Sequence, residues 1–349
     1  MSCFCPAPWN SIFYHVDSAS VCCVNKTRLT ISPSQLKETE FVQKLKADFL
    51  ANKRPDSCST CWQAEDQGLQ SIRQHMITAN HDINSGYKHM ELRASNLCNF
   101  SCVMCFPRDS SEIAKEVRNI TEENWSQVVD ITKNLKTLIL TGGEPMLIKK
   151  YYDLLDHLDQ NIQLMIYTNC SVYNPKFVEK MLRIKNVQLQ LSIDGVGETA
   201  ELQRKGTDWE TVEKNIRLYC QLPVGISIHA TMTRYNIPDI VNYVEFLLDL
   251  SVKNTSIKFN AHTAQWPRHA RIENLVGQSR SSAVEQLGIA IEMISSSNFQ
   301  KLQRELASLK KELEKPAIIT ASRDRLPSLG DPAQRETSYA VQPNGSNLV

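Results

Sequence analysis

Short runs of apolar and β-branched residues alternate with amphipathic segments from about residue 89 to residue 261. Runs of this length and composition are typical of strands that are covered on both faces. The predicted strands are His89–Ala94, Lys136–Thr141, Ile162–Thr168, Val187–Ile193, Val224–Thr233 and Ser256–Ala261.

Helix-start signals fill the gaps between these strands. Thr121 precedes two glutamates, Asn174 precedes a proline, and Thr207 and Glu210 have the spacing of a capping box. A further start is predicted at Asn236. Strands that alternate with helices predict an α/β fold, with a parallel sheet and right-handed crossovers.

The regions on either side of this alternation differ from it. Residues 1–75 are predicted to be a separate unit, because they hold six cysteines. Residues 266–316 are predicted to be a helical extension, whose leucine stripe should pack against the rest of the chain. The stripe consists of Leu302, Leu306, Leu309 and Leu313. Residues 317–349 are rich in Ser, Pro, Gly, Asn and Gln, which predicts a disordered tail.

Charge and composition narrow the range of partners and compartments. The 349 residues carry a formal net charge of +1, which gives no electrostatic reason to expect a nucleic-acid or membrane partner. No window reaches the ~20 apolar residues that span a bilayer, and the N-terminus lacks the features of a signal peptide. Eleven cysteines without an export signal indicate reduced thiols that bind metal. We therefore expect a cytoplasmic protein.

Three of the cysteines lie close together directly after the first predicted strand. Cys98, Cys102 and Cys105 have the spacing C-x3-C-x2-C. Three thiolates can hold three irons of a cubane cluster and leave one iron without a protein ligand. An open metal position is typical of a catalytic site. The alternative is a zinc site with a fourth ligand elsewhere, for which His89 is a candidate.

A second motif follows the second predicted strand. It is Gly142-Gly-Glu-Pro145, in which the glycines permit a close backbone approach to a ligand. The two motifs together resemble the radical S-adenosylmethionine (SAM) superfamily. The resemblance implies a partial (β/α)6 TIM-like barrel over residues 85–265, with chemistry at the C-terminal strand ends. It also implies that the three cysteines bind a 4Fe–4S cluster whose open iron is chelated by SAM.

The same resemblance implies roles for individual residues. Gly142, Gly143, Glu144 and Pro145 would contact SAM, and Glu144 would accept hydrogen bonds from its amino group. The other residues that would line the SAM site at the strand ends are Thr168, Asn169, Ser192, Asp194 and Arg204. Most members carry an aromatic residue directly before the third cysteine, and this chain has Met104 there. For Glu144 the alternative is a solvated residue in a strand–helix turn, and for the strand-end residues it is a polar loop residue whose hydrogen bonds are satisfied.

The cysteines of residues 1–75 resemble the auxiliary-cluster modules called twitch and SPASM domains. Cys5, Cys58, Cys61 and either Cys22 or Cys23 would supply four thiolates to a second 4Fe–4S cluster. Four cysteines that include a C-x2-C pair can equally hold zinc, so this alternative stays open.

These resemblances imply a radical SAM enzyme that cleaves SAM reductively to a 5′-deoxyadenosyl radical, which abstracts a hydrogen atom from a substrate. We expect a peptide or protein substrate and an electron donor such as flavodoxin or ferredoxin. The alternatives are a radical SAM enzyme that acts on a small molecule or nucleotide, and a non-catalytic iron–sulfur or zinc-binding protein.

Overall fold

A computed structural model describes residues 2–79, 82–253, 257–264, 267–295 and 299–316. In these residues the strands form one eight-stranded sheet, in the order β2-β1-β3-β4-β5-β6-β7-β8. The strands are β1 (Ser11–His15), β2 (Ser18–Ser20), β3 (His89–Arg93), β4 (Thr137–Leu140), β5 (Gln163–Thr168), β6 (Asn186–Ser192), β7 (Gly225–Met232) and β8 (Lys258–Thr263). Every neighbouring pair is parallel except β1 and β2.

Helices connect most of the parallel strands. They are α1 (Ala7–Asn10), α2 (Glu40–Leu50), α3 (Ser59–Asp66), α4 (Ile72–Ala79), α5 (Ser111–Ala114), α6 (Glu122–Thr132), α7 (Lys149–His157), α8 (Pro175–Met181), α9 (Gly197–Gln203), α10 (Trp209–Tyr219), α11 (Ile240–Lys253), α12 (Gly277–Met293) and α13 (Gln300–Glu314). This alternation confirms the predicted α/β class and the partial barrel.

The predicted caps fit the structure in two of three cases. Thr121 accepts a hydrogen bond from the backbone of Asn124, and Asn174 accepts from two amides of α8. Such caps stabilise a helix by about 1 kcal/mol each. The capping box at Thr207 is wrong, because α10 has Asp208 as its N-cap and the Thr207 hydroxyl donates to the carbonyl of Arg204 at 2.6 Å.

Alternate side chains of the central strands form the apolar layer between the sheet and the helices. Leu138 and Leu140 of β4 are in register with Leu164 and Ile166 of β5, and all four are fully buried. Because successive side chains point to opposite faces, the residues between them lie on the other face of the sheet. The core therefore fixes the register and with it the level at which each strand ends.

The N-terminal region is part of the same sheet. The sequence predicted six strands, and β3 to β8 match them within two residues at every end. It did not predict β1, which lies parallel to β3 with Phe13 opposite Glu91, or β2, which pairs with β1. Residues 11–20 therefore extend the barrel sheet. The domain boundaries themselves stay predictions.

The C-terminal helix covers the opposite edge of the sheet. The predicted leucine stripe is buried, and α13 packs against α12 and β8. The Glu305 carboxylate accepts a hydrogen bond from the backbone amide of Ala261 at 2.6 Å, so it satisfies a donor on edge strand β8. In the described residues, every helix is too short or too polar to cross a membrane. The predicted disordered tail, residues 317–349, lies outside the described residues.

Candidate functional site at the C-terminal strand ends

The three-cysteine loop leaves the C-terminal end of β3. Because neighbouring parallel strands end at the same edge, the loops after β3, β4, β5 and β6 meet there. The amide of Cys98 donates to Ser111 Oγ at 3.1 Å, and the same hydroxyl donates to the Cys98 carbonyl at 3.0 Å. The amide of Cys105 donates to the carbonyl of Cys102 at 3.1 Å. The Ser111 side chain therefore holds the start of the loop, and a backbone hydrogen bond holds its end.

All three thiols are largely removed from water. Burial raises the pKa of Cys98 to about 12, and it raises the pKa of Cys102 and Cys105 as well. The amide of Phe100 opposes this effect at Cys98, because it donates to the sulfur at 3.4 Å. A thiol that is costly to ionise alone becomes a thiolate when a metal binds it, since metal ligation requires deprotonation.

Backbone hydrogen bonds join the second motif to the cysteine loop. The amide of Gly143 donates to the carbonyl of Ser95 at 3.1 Å, and the amide of Glu144 donates to the carbonyl of Leu97 at 2.8 Å. A Cβ atom at Gly143 would lie 2.0 Å from the Leu97 oxygen, which is far inside van der Waals contact. Gly142 has a φ of +124°. These positions require glycine because the two loops touch through their backbones.

Glu144 is buried and connects the ends of β4 and β5. Its carboxylate accepts from the amides of Met146 at 3.1 Å and Asn169 at 2.7 Å, and from the hydroxyl of Thr168 at 2.8 Å. Burial raises the pKa of Glu144 to about 7, although these three donors oppose the rise. Pro145 begins the 3₁₀ turn that Glu144 caps. A carboxylate can accept about four hydrogen bonds, so one acceptor position is left for a ligand.

Asn169 links this carboxylate to the first cysteine. Its side-chain amide lies 3.9 Å from Cys98 Sγ and donates to Asn99 at 3.2 Å. The next residue, Cys170, is fully buried, and burial raises the pKa of its thiol. The structure thus brings Cys98, Glu144, Thr168 and Asn169 into one network.

A second pair of predicted residues meets beside Cys102. The Nε atom of Arg204 lies 2.7 Å from Oδ2 of Asp194 in an ion pair, although the two atoms are not aligned for a hydrogen bond. Ser192 ends β6 and is half-buried. Met104 is half-buried between the second and third cysteines and packs against the apolar core.

The N-terminal cysteines form a different environment. Cys5, Cys22, Cys58 and Cys61 line one cavity, whose other lining side chains are mostly apolar. The side-chain amide of Asn25 donates to the sulfur of Cys58 at 3.4 Å. Burial raises the pKa of Cys22 to about 12.

Arg73 also lines this cavity. It forms a close ion pair with Glu65 and donates to the carbonyl of Phe4 at 2.7 Å. Cys23 has other neighbours, since the pKa of its thiol is raised first by burial and then by Glu91 of β3.

The zinc alternative for the barrel cysteines loses its suggested fourth ligand. His89 begins β3 and Cys98 follows its far end, so a strand of about 13 Å separates them at ~3.3 Å per residue. Among the described residues, no three Cys, His, Asp or Glu side chains surround the position of one ion. A cubane cluster distributes its thiolates over separate irons.

Family comparison identifies the barrel. Residues 92–247 match the model of the radical SAM superfamily. This region of the chain belongs to that superfamily. The cofactors of this superfamily are a 4Fe–4S cluster and SAM, and the chain fits them: three thiols, one buried and two half-buried, lie on one loop, which is the donor set of a cluster with one open iron. The buried hydroxyl of Thr141, directly before Gly142, has no hydrogen-bond partner among the described residues and is available to a ligand.

The chain is similar to several known proteins, in each case over only part of that protein's length. The uncharacterized protein MJ0907 of Methanocaldococcus jannaschii is 30% identical over 186 residues, which are 49% of this chain and 62% of that protein. The sporulation killing factor maturation protein SkfB of Bacillus subtilis is 26% identical, over 44% of this chain and 38% of that protein. The AdoMet-dependent heme synthase of Methanosarcina barkeri is also 26% identical, over 44% and 45%. The chain thus spans roughly half the length of these relatives.

Several residues of the site could not be found from sequence. The Tyr151 hydroxyl shares its one proton between the carbonyls of Leu92 and Thr141 and accepts from the amide of Ala94, so it fixes the ends of β3 and β4. Asn25 belongs to no motif and reaches Cys58 from 33 residues away. Contacts over such distances leave no local pattern in a single sequence.

Proposed function

We propose that this protein is a radical SAM enzyme that cleaves SAM reductively and abstracts a hydrogen atom from a peptide or protein substrate. The observation that supports this most strongly is the pair of backbone hydrogen bonds between the Gly-Gly-Glu loop and the cysteine loop. It brings the two motifs of the superfamily together at one strand edge, where ligands bind in parallel α/β folds.

In this proposal Cys98, Cys102 and Cys105 hold the cluster as thiolates. When bound, the cluster and SAM supply the 5′-deoxyadenosyl radical for hydrogen-atom abstraction. Glu144 accepts from the cationic amino group of SAM through its remaining acceptor position, and its three protein donors hold the carboxylate in place. The burial of this carboxylate keeps competing water away and strengthens a charge-assisted hydrogen bond.

We further propose that Cys5, Cys22, Cys58 and Cys61 hold a second 4Fe–4S cluster. Their common cavity supports Cys22 over Cys23 as the fourth ligand. The amide of Asn25 favours a thiolate at Cys58, because it donates to that sulfur. Zinc is the competing occupant, and metal analysis of the reconstituted protein distinguishes the two.

The substrate class rests on weaker support. The resemblance of the N-terminal cysteines to twitch and SPASM modules and the similarity to a maturation protein favour a peptide. The equal similarity to a heme synthase favours a small molecule as the second candidate. We propose flavodoxin or ferredoxin as the electron donor.

The decisive experiment measures 5′-deoxyadenosine. Anaerobically reconstituted protein, reduced with dithionite, should release it slowly from SAM without substrate. Cys102→Ala should abolish the product because a cluster ligand is lost, whereas the matched variant Cys220→Ala, on a cysteine at the end of α10, should retain it. Equal product from wild type and Cys102→Ala would refute the proposal.

The substrate class is tested with the same assay. A peptide substrate should accelerate 5′-deoxyadenosine release and gain or lose mass in the process. Acceleration by a porphyrin and not by peptides would replace the peptide with the small-molecule candidate.

A further inference from the structure

The face of β6, β7 and β8 that points away from the helices is polar. The opposite face carries the apolar layer, in which Leu189, Leu191 and Ile228 are fully buried. Because side chains alternate along a strand, the residues between them share the inner face of the sheet. Most members of this inner face are uncharged hydrogen-bonding residues, and they are Gln188, Gln190, Ser192, Ser227, His229, Thr231, Lys258, Asn260 and His262.

The middle of the inner face is hydrogen-bonded across the three strands. Gln190 lies opposite Ser227, and His229 lies opposite both Ser192 and Asn260. The side-chain amide of Asn260 donates to Ser227 Oγ at 2.8 Å, and Gln190 Oε1 contacts His229 Nε2. We call Gln190, His229 and Asn260 the inner cluster. Since Ser192 is the last residue of β6, the inner cluster lies beside the strand ends where SAM is proposed to bind.

The inner cluster has more polar atoms than protein partners. His229 Nε2 contacts Gln190 Oε1 and also lies 3.4 Å from Asn260 Nδ2. A neutral imidazole nitrogen either donates or accepts, so it can satisfy only one of these two amides. His229 Nδ1 makes no hydrogen bond with any residue that the structure describes.

Either tautomer of His229 therefore leaves one donor and one acceptor free. If Nε2 donates to Gln190, Nδ1 remains as an acceptor and an N–H of Asn260 remains as a donor. If Nε2 accepts from Asn260, Nδ1 remains as a donor and the Gln190 oxygen remains as an acceptor. The inner cluster can thus form two complementary hydrogen bonds with a ligand.

The inner cluster is accessible from solvent. His229 and Asn260 are half-buried, whereas the apolar side chains on the other face of the same strands are fully buried. Gln188, two residues before Gln190 on the same face, lines a cavity of about 780 Å³ at the N-terminal strand ends. Open space therefore adjoins the inner face.

The inner cluster is also uncharged at neutral pH. Burial lowers the pKa of His229 to about 4, and the nearby His262 and Lys301 add to this effect. Lys301 contacts Asn260 Oδ1 but forms an ion pair with Glu305 at 3.8 Å. In the described strands β6, β7 and β8, the inner face carries no carboxylate. It therefore offers neutral donors and acceptors.

We propose that the inner cluster binds a carboxamide group of a peptide substrate and thereby determines substrate specificity. A carboxamide presents an N–H and a C=O, which complement the free acceptor and donor of either tautomer. A porphyrin would instead bring an apolar macrocycle and carboxylates, which need apolar surface and cations. The inference rests on the proposed function, and it favours the peptide over the small molecule.

The test is affinity selection from a synthetic library of random hexapeptides, mixed with the reconstituted holoenzyme and SAM. Wild type should retain uncharged peptides. His229→Phe and Asn260→Leu should each retain about tenfold less, because each removes a hydrogen-bonding partner of the peptide. Asn186→Leu, at the exposed start of β6, is the matched control and should retain as much as wild type.

The sequences that are retained identify the source of the amide. Enrichment of Asn or Gln at one position would assign the inner cluster to a side-chain amide, and retention of uncharged peptides regardless of sequence would assign it to the backbone amide. His229→Gln keeps a donor and an acceptor, so it should recover part of the retention. A merely structural role predicts no such recovery, and iron content and circular dichroism check the fold of each variant.

Selective retention of charged peptides, equal retention by wild type and both variants, or no retention by wild type would overturn the inference. So would a porphyrin that binds wild type and no longer binds His229→Phe. In each of these cases the release of 5′-deoxyadenosine from SAM by dithionite-reduced wild type would leave the SAM-cleavage proposal standing. Absence of that product would instead refute the proposed function.

Discussion

The two cysteine sets of this protein differ in number and in surroundings. The barrel set has three thiols beside buried charges, namely Glu144 and the pair of Asp194 and Arg204. The N-terminal set has four thiols in a mostly apolar cavity, whose lining cation, Arg73, is already paired with Glu65.

This difference indicates two kinds of metal site. Four thiols can saturate a cluster and need little else, which suits electron transfer or structure. Three thiols leave an open position, and a ligand that binds there needs polar partners around it. The following predictions test this contrast.

Substitution of either set of cysteines should have the largest effect, because it should show which set is needed for SAM cleavage. Wild type should hold about eight irons, and the triple variant Cys98→Ala/Cys102→Ala/Cys105→Ala about four, without SAM cleavage. Cys58→Ala/Cys61→Ala should also hold about four irons but keep uncoupled SAM cleavage. Iron analysis and 5′-deoxyadenosine release measure both properties. Zinc in the triple variant would contradict the auxiliary cluster and leave the barrel site unaffected.

A methyl group added where the Gly-Gly-Glu loop touches the cysteine loop should lower the stability of the fold. Gly143→Ala should destabilise the fold by about 3 kcal/mol or more, since overpacking against backbone cannot relax through a side chain. Gly197→Ala is the control, because its φ is +50° and nothing lies within 4 Å of the added atom. That change should cost only about 1 kcal/mol. Similar losses in denaturant unfolding would show that the loop contact is not critical.

Carboxylates near the two sets should respond to pH in opposite directions. Burial raises the pKa of Glu144 from 4.5 to about 7, so the folded state binds the extra proton in this interval. Stability should therefore fall by roughly 3 kcal/mol as pH rises from 4.5 to 7, at about 1.4 kcal/mol per pKa unit. Glu144→Gln should remove this loss in unfolding experiments.

Near the N-terminal set, the hydrogen bond from Arg73 lowers the pKa of Glu65. Its stabilising effect should be present above pH 4.5 and disappear as pH falls through the lowered pKa. Glu65→Gln should therefore be less stable than wild type at neutral pH and approach it in acid. The same pH trend for both variants would contradict the contrast between the sites.

The smallest expected effect concerns SAM affinity. Glu144→Ala should weaken SAM binding tenfold to hundredfold, because a lost charge-assisted hydrogen bond costs about 1.5–3 kcal/mol. Iron content should stay near wild type, since thiolates hold the cluster. Glu112→Ala, on an exposed carboxylate of α5, is the control in the same titration calorimetry. Unchanged SAM affinity in Glu144→Ala would mean that Glu144 connects the ends of β4 and β5 and does not bind SAM.

Much of the barrel could be predicted from the sequence because its signals are local. Strands β3 to β8 are apolar runs between helix-start signals, and the two motifs stand directly after two of them. By contrast, β1 was missed because its place beside β3 depends on pairing across more than 70 residues. Strand propensity depends on such neighbours more than helix propensity does.

The sequence by itself determined the chemistry of this protein: which thiols are available, how they are spaced, and where glycine permits backbone contact. Only the tertiary structure decided how charge is distributed around those thiols. It paired Arg204 with Asp194, grouped Cys22 and not Cys23 with the other N-terminal cysteines, and buried Glu144. The physical reason is that spacing along a chain fixes ligand order, whereas burial and ion pairing depend on residues that are distant in sequence.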